Sequence, residues 1–300
     1  MWDALAIEVH LVDGTYELFR HHFGQPAGRD GSRSRYGATR GVLAHVIGLL
    51  ERGVSHLGVA TDTVVESFRN QLWPAYKRGD GVPPELAAQF PLLEAALEAL
   101  GVTLWAMVEL EADDALASAA AVLCEDPAVH QVRLATPDKD LAQCVRGQRV
   151  VQFDSRSGAC TDESGVRARF GIGPRSIPDW LALVGDSADG FPGLPGWGRT
   201  SASTVLAHYH HLEAIPEAVS DWDPTVRASV RGAARLAGVL AEERDLAGLF
   251  KHLATLRIDR SLLSGTDALS WRGPRPDFAE LCATLGAPRL AERALQLAER

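Results

Sequence analysis

Residues 134–140 read Leu134-Ala135-Thr136-Pro137-Asp138-Lys139-Asp140, an apolar run that empties directly into charge. Two other stretches have the same design: Val9-His10-Leu11-Val12-Asp13 and Leu57-Gly58-Val59-Ala60-Thr61-Asp62. Short apolar runs bounded in this way read as buried strands. Strand-like runs at 7–12, 57–60, 103–107, 132–135 and 150–153 alternate with helix-like patterns at 41–51, 86–100, 112–124 and 164–170. That alternation predicts an α/β fold, a mostly parallel sheet flanked by helices. From about Pro174 the strand patterns cease and short helices with Gly and Pro punctuation follow. The predicted organisation is therefore a catalytic α/β domain over 1–173 and a helical subdomain over 174–300, with a soft boundary at 171–178.

In parallel α/β sheets, ligands gather beyond the carboxyl ends of the strands. Three strand runs here end in Asp13, Asp62 and the Asp138/Asp140 pair, and a fourth leads into Glu111-Ala112-Asp113-Asp114 at the head of an Ala-rich helix. Any one of these acids could simply cap a helix. Four strand ends carrying the same chemistry point further, because clustered carboxylates repel unless cations lie between them. Hard oxygen donors with no Cys or His nearby select Mg²⁺ or Mn²⁺ over zinc.

A further pair, Asp186 and Asp189, is three residues apart and would share one face of a helical turn. It is followed by Gly193-Leu194-Pro195-Gly196-Trp197-Gly198, a glycine hairpin opening onto a helix predicted over 200–208. Glycines admit a phosphate to backbone amides, and a helix N-terminus favours its charge.

The whole-chain properties are compatible with such a site. Three hundred residues bury a sizeable core. No apolar run reaches the length of a membrane span, and the acid-bearing N-terminus does not read as a signal peptide. The four cysteines are scattered and read as buried thiols of a reducing cytoplasm. The net charge of −9 is unusual for a nucleic-acid binder. Setting aside the nine acids Asp13, Asp62, Glu111, Asp113, Asp114, Asp138, Asp140, Asp186 and Asp189 leaves 30 acids against 30 Lys and Arg. Bound cations would turn that locus positive.

Taken in order, Val12-Asp13-Gly14, Asp62 with Ser67-Phe68-Arg69, Tyr76-Lys77, Glu111-Ala112-Asp113-Asp114, Thr136-Pro137-Asp138-Lys139-Asp140 and Gly185-Asp186-Ser187-Ala188-Asp189 resemble the motifs of the 5′ nuclease family. That family includes the 5′–3′ exonuclease domains of bacterial DNA polymerase I, phage 5′ exonucleases and flap endonucleases. The resemblance runs from about Val9 to the C-terminus. It implies a PIN-like sheet, a helix–hairpin–helix in the second part, and two divalent cations, Mg²⁺ with Mn²⁺ able to substitute. Asp13, Asp62, Glu111 and Asp113 are implied to serve the first cation and Asp138, Asp140 and Asp189 the second, with Asp114 and Asp186 in support. Arg69 and Lys77 are implied to clamp the scissile phosphate and Tyr76 to stack on a base. Arg20, Arg29, Arg33, Arg35, Gly193, Gly196, Gly198, Arg199, Thr200 and Ser201 are the expected DNA contacts.

The implied activity is 5′–3′ exonuclease or 5′ flap cleavage of DNA to 5′-phosphate products, by a cytoplasmic, nucleoid-associated monomer without a polymerase domain. The chain departs from the family at Gly190, where Asn is usual, and at Arg199-Thr200-Ser201, where a Lys is usual. Both departures bear on the duplex grip and on an expected K⁺ at the hairpin. The segment 79–90 is short for a tall helical arch. Three rival readings are a PIN-type ribonuclease, which would lack the hairpin subdomain, a non-catalytic helix–hairpin–helix protein, which would have lost acids, and a Mg²⁺-dependent phosphatase of small molecules, which would not need a phosphate-gripping second subdomain.

Overall fold

In the computed structural model, which describes residues 7–25 and 34–299, the chain divides into two compact units. One comprises Met1–Val65, Gly79–Thr136 and Ile258–Arg300; the other comprises Glu66–Arg78 and Pro137–Arg257. The first part of the chain runs β1 (Ile7–Asp13), α1 (Gly14–Phe23), α2 (Gly37–Glu51), β2 (His56–Asp62) and α3 (Phe68–Leu72). Next come α4 (Pro84–Ala87), α5 (Phe90–Leu100), β3 (Thr103–Met107), α6 (Ala112–Leu123) and β4 (Val129–Ala135). After β5 (Val150–Phe153) and β6 (Cys160–Thr161) lie α7 (Glu163–Phe170), α8 (Ile177–Val184) and α9 (Arg199–Tyr209). The last helices are α10 (Pro224–Ser229), α11 (Ala233–Glu242), α12 (Arg244–Ala254), α13 (Phe278–Thr284) and α14 (Pro288–Ala298).

In the first unit, four parallel strands lie in the order β3-β2-β1-β4. In the central β1, Val9, Leu11 and Val12 are wholly buried, as a strand covered on both faces requires. Because the strands are parallel, their carboxyl ends fall on one edge: Asp13 pairs with Ala60, and Asp62 with Met107. Ile258–Arg300 also belongs to this unit, so the chain returns to the sheet after its helical part. Trp105 and Trp271 anchor the return, donating their indole N–H groups to the carbonyls of Leu262 and Leu100, both at 2.8 Å.

The second unit is helical, apart from the antiparallel pair β5–β6. Its core gathers Trp180, Phe191, Trp197, Trp222 and Phe250 between α8, α9, α11 and α12. The helix predicted over 86–100 is broken. Pro91 has no N–H for the preceding turn and sits in the first turn of α5, while the buried Gln89 between α4 and α5 accepts from the Thr39 N–H at 3.1 Å. Only Cys282 is buried; Cys160 is exposed and Cys124 and Cys144 are intermediate. None of the described helices is long and apolar enough to cross a membrane.

Candidate active site

The first unit lines its sheet edge with carboxylates held by short bonds. Asp13 caps α1, accepting the Tyr16 N–H at 2.8 Å on Oδ1 and the Thr136 hydroxyl at 3.0 Å on Oδ2. Asp62 donates its N–H to the Thr15 hydroxyl and accepts the Ala112 N–H on Oδ1 at 2.7 Å, tying β2 to the head of α6. Glu111 caps α6 and donates its N–H to Asp114 Oδ2 at 3.0 Å. Asp13, Asp62, Glu111 and Asp114 are all buried, and Asp113 is half-buried. Capping and metal binding are therefore not alternatives here, since each carboxylate keeps lone pairs beyond those its cap uses.

The second unit contributes a tighter group. Carboxylate oxygens of Asp140, Asp186 and Asp189 lie within 4.8 Å of one another. Asp140 Oδ1 is buried without a hydrogen-bond partner. Burial first, and then the charges of Asp138 and Asp189, push the Asp140 carboxyl well above the usual carboxylate range. Lys139 forms an ion pair with Asp186 and stands 3.9 Å from Asp140, so one ammonium faces several carboxylates. A buried oxygen without a hydrogen bond, among several carboxylates that one ammonium does not neutralise and with only oxygen donors, fits a hard divalent cation.

Asp186 and Asp189 are not on a helical turn. The chain leaves α8 at Val184, and a two-bond bridge closes Asp186 against Phe191, with N–H to carbonyl distances of 2.8 and 3.0 Å. Gly190 turns this loop at φ +79, where a Cβ would come 2.2 Å from the Ala75 carbonyl. The departure from Asn at this position thus matches a backbone approach that only glycine permits.

Tyr76, expected to stack on a base, is 2% exposed; it packs in the helical core and donates its hydroxyl to Asp189 Oδ2 at 3.1 Å. Arg69, expected to clamp a phosphate, is 1% exposed. Its guanidinium donates to the carbonyls of Leu253 and Thr255 at the end of α12 and lies over Phe68. A cation there complements the C-terminus of α12 and is withdrawn from any phosphate. Lys77 is only partly buried; its N–H donates to the Asp189 carbonyl at 3.0 Å, and Asn70 Nδ2 binds the carbonyls of Tyr76 and Lys77.

Among the expected DNA contacts, Arg29 and Arg33 lie outside the described residues. Arg35 is exposed beside the ring of Tyr36. Arg20 is ion-paired with Glu17, its Nε donating at 3.1 Å, and is thereby largely committed within α1. Gly193 is buried, and a Cβ there would meet the Gly185 nitrogen at 2.3 Å, so the close approach of these two backbone segments requires glycine. Gly196 turns at φ +83. Gly198, Arg199 and Thr200 are exposed at the head of α9, with open space beside the Gly198 Cα, and the Ser201 hydroxyl caps the turn at 3.0 Å from the Gly198 N–H.

Sequence reasoning passed over Thr15, Thr136 and Gln152. Thr15 and Thr136 steady the acids of the first unit, and Gln152 donates to the Asp138 carbonyl at 2.5 Å in the second. Thr136 and Thr15 each lie within two residues of a strand-end acid, which is the signal that could have found them; Gln152 had none.

Comparison with known proteins divides the chain near residue 171, whereas the compact units part at Thr136 and again at Arg257. A family model described as 5′-3′ exonuclease, N-terminal resolvase-like domain, matches residues 8–171, and one described as 5′-3′ exonuclease, C-terminal SAM fold, matches 172–277. The chain is 33% identical to DNA polymerase I of Pseudomonas aeruginosa over 264 residues, which is 84% of this chain and 27% of that one. It is 30% identical to a 5′-3′ exonuclease of Buchnera aphidicola, with 83% of this chain and 81% of that one covered. The chain spans between a quarter and a third of the length of the polymerase I relatives it matches first. Among solved structures, a bacteriophage T5 flap endonuclease in a pseudo-enzyme–product complex with DNA and metal ions superposes with a TM-score of 0.63 at 16% identity, covering 98% of this chain and 100% of that one. Flap endonuclease-1 of Methanococcus jannaschii gives 0.57 at 17% identity, with 99% and 94% covered.

Proposed function

The chain belongs to the 5′-3′ exonuclease family, and from that membership we propose that it hydrolyses DNA phosphodiester bonds at 5′ ends, flaps and nicks in a metal-dependent reaction. The observation that carries this reading is the Asp140–Asp186–Asp189 group, with a buried oxygen of Asp140 that has no hydrogen-bond partner. These three residues and Asp138 would hold a divalent cation, Mg²⁺ or in its place Mn²⁺. The sheet-edge set Asp13, Asp62, Glu111 and Asp113, with Asp114 beneath, would hold another. Such cations, when bound, supply Lewis-acid stabilisation of the reacting phosphate and lower the pKa of bound water.

The protein's own groups prepare the site. Thr136 and the Tyr16 N–H fix the rotamer of Asp13, and Tyr76 fixes that of Asp189. Lys77, its backbone pinned to the Asp189 carbonyl, offers a compact ammonium to a phosphate oxygen. The exposed amides at the head of α9, with Arg199, would grip a phosphate further along the duplex, and the hairpin would take a K⁺. The reading extends to a cytoplasmic monomer with a catalytic part over 1–173 and a DNA-gripping part over 174–300. The match of a second model over 172–277 favours it over a PIN-type ribonuclease lacking such a part. The presence of all nine acids favours it over a non-catalytic binder.

The decisive assay uses end-labelled 5′-flap, nicked and single-stranded DNA, and an RNA control, with Mg²⁺ or EDTA. Mg²⁺-dependent release of 5′-phosphate products from DNA, absent in Asp189→Ala, is expected. Undiminished cleavage in EDTA would refute the metal assignment.

A further inference from the structure

The second unit contains a concavity of about 750 Å³ that the nuclease reading leaves unused. Arg146, Arg167 and Arg175 line it together with Glu163, His210 and His211. Its lining thus carries three guanidinium groups against one carboxylate, in a chain whose net charge is −9. Glu163 pairs with Arg167 at 2.9 Å and accepts the Gly147 N–H at 3.3 Å, so the lining keeps a net excess of two guanidinium charges. A Cβ at Gly173 would stand 3.1 Å from the Arg167 guanidinium, so the glycine makes room for the fork to lie against the backbone.

His210 adds an independent observation. It is the only non-glycine among the described residues with positive φ, at +64 with ψ −45, and it is exposed. Glycine would hold that conformation without steric cost, and strain of this kind persists where the side chain is needed. Its neighbour His211, also in the lining, is held by Asp179 Oδ2 at 3.0 Å, and Lys251 binds Asp179 Oδ1 at 2.7 Å.

We propose that Arg146, Arg167, Arg175 and His210 form a phosphate-binding pocket distinct from the acidic group. Guanidinium forks match phosphate oxygens in pairs, and the volume suits a ligand as small as one nucleotide. Two sources present that chemistry: a free 5′-mononucleotide, or a phosphodiester of bound DNA.

Calorimetric titration in EDTA with thymidine 5′-monophosphate, and separately with blunt duplex DNA at several salt concentrations, distinguishes them. The variants are Arg146→Ala/Arg175→Ala, both at exposed positions, and His210→Gly, which removes the strain. For the mononucleotide source, Kd rises at least about tenfold in both variants, while Tm of His210→Gly is equal to or above that of the unaltered protein. For the DNA source, the mononucleotide does not bind, and the log–log salt slope for duplex shrinks by about one unit per removed arginine contact. Unchanged binding of both probes by both variants overturns the proposal. Because the titrations need no cleavage, that failure is separable from failure of the nuclease reading.

Discussion

The Tyr76 hydroxyl donates to Asp189 Oδ2 at 3.1 Å, and the N–H of the next residue, Lys77, donates to the Asp189 carbonyl at 3.0 Å. The loop after α3 and the Asp186–Phe191 turn are thus one braced object, further tied by the Trp73 indole N–H to the Gly190 carbonyl at 3.0 Å. Tyr76→Phe keeps the packing and removes only the donor. Mg²⁺ affinity, read from the metal dependence of cleavage, is expected to weaken about 10- to 100-fold, as for other groups that orient ligands. Unaltered metal dependence would make Tyr76 a core residue and nothing more.

The crowding around Asp140 predicts a stability effect with opposite signs in two media. In EDTA, Asp140→Asn is expected to raise Tm, because it removes a buried charge facing Asp138, Asp186 and Asp189. In Mg²⁺ the unaltered protein is expected to gain Tm and the variant much less, since only a group that binds the ion gains from mass action. Melting curves in both media decide this, and a Tm insensitive to Mg²⁺ in both proteins would count against a metal at this group.

The strands and their terminal acids were legible because apolar runs ending in Asp are a local signal, and β1, β2 and β4 carry it within a few residues. The roles of Arg69 and Tyr76 were not, because they depend on partners 184 and 113 residues away, Leu253 and Asp189. The Asp186–Asp189 spacing suggested a helical turn. Gly185 and Gly190, both at positive φ, instead build a bridge, and spacing alone does not tell the two apart. The return of Ile258–Arg300 to the first unit was equally invisible, since it rests on indole bonds to remote carbonyls.

Arg69 gives a prediction of stability and not of phosphate binding. Arg257 shares its aromatic contact, with its guanidinium carbon 3.2 Å from the Phe68 ring centre. Arg69→Met leaves the Leu253 and Thr255 carbonyls without their donor and is expected to cost about 2–4 kcal/mol by urea unfolding. The Kd for DNA is expected to hold within about twofold in conditions where the variant is folded. A large loss of DNA affinity at unchanged stability would restore the phosphate role.

His10 gives the protein an acid limit. It sits on β1, 3% exposed, and burial first, then the charges of Arg133, Arg52 and His45, lower its pKa to about 4. The folded state therefore keeps His10 neutral, while the unfolded chain takes up a proton below the usual 6.5. The resulting stability is fully present above 6.5 and is lost as pH falls toward 4. Between pH 7 and pH 5 the loss from this group is on the order of 2 kcal/mol. Urea unfolding at the two pH values should show it, and His10→Gln should shrink the difference; an equal difference in the variant would assign the acid limit elsewhere.

Lys77 carries the sharpest catalytic prediction. The chain has three lysines, and Lys139 and Lys251 are both ion-paired, to Asp186 and Asp179. The other 27 basic residues are arginine, so a lysine in a motif position marks a place where a fork does not serve. Its backbone is fixed from both directions, by the Asp189 carbonyl and by the Asn70 amide, while its side chain stays partly exposed. A main chain held this firmly beneath a partly exposed side chain suits a point charge aimed at one phosphate oxygen. If it acts chiefly in the transition state, Lys77→Ala lowers kcat by roughly 10²–10³ with a smaller change in DNA affinity. Lys77→Arg keeps the charge but not its compactness and rescues only in part. Single-turnover cleavage of a 5′ flap measures both, and a near-unaltered rate for Lys77→Ala would place the essential cation elsewhere in the protein.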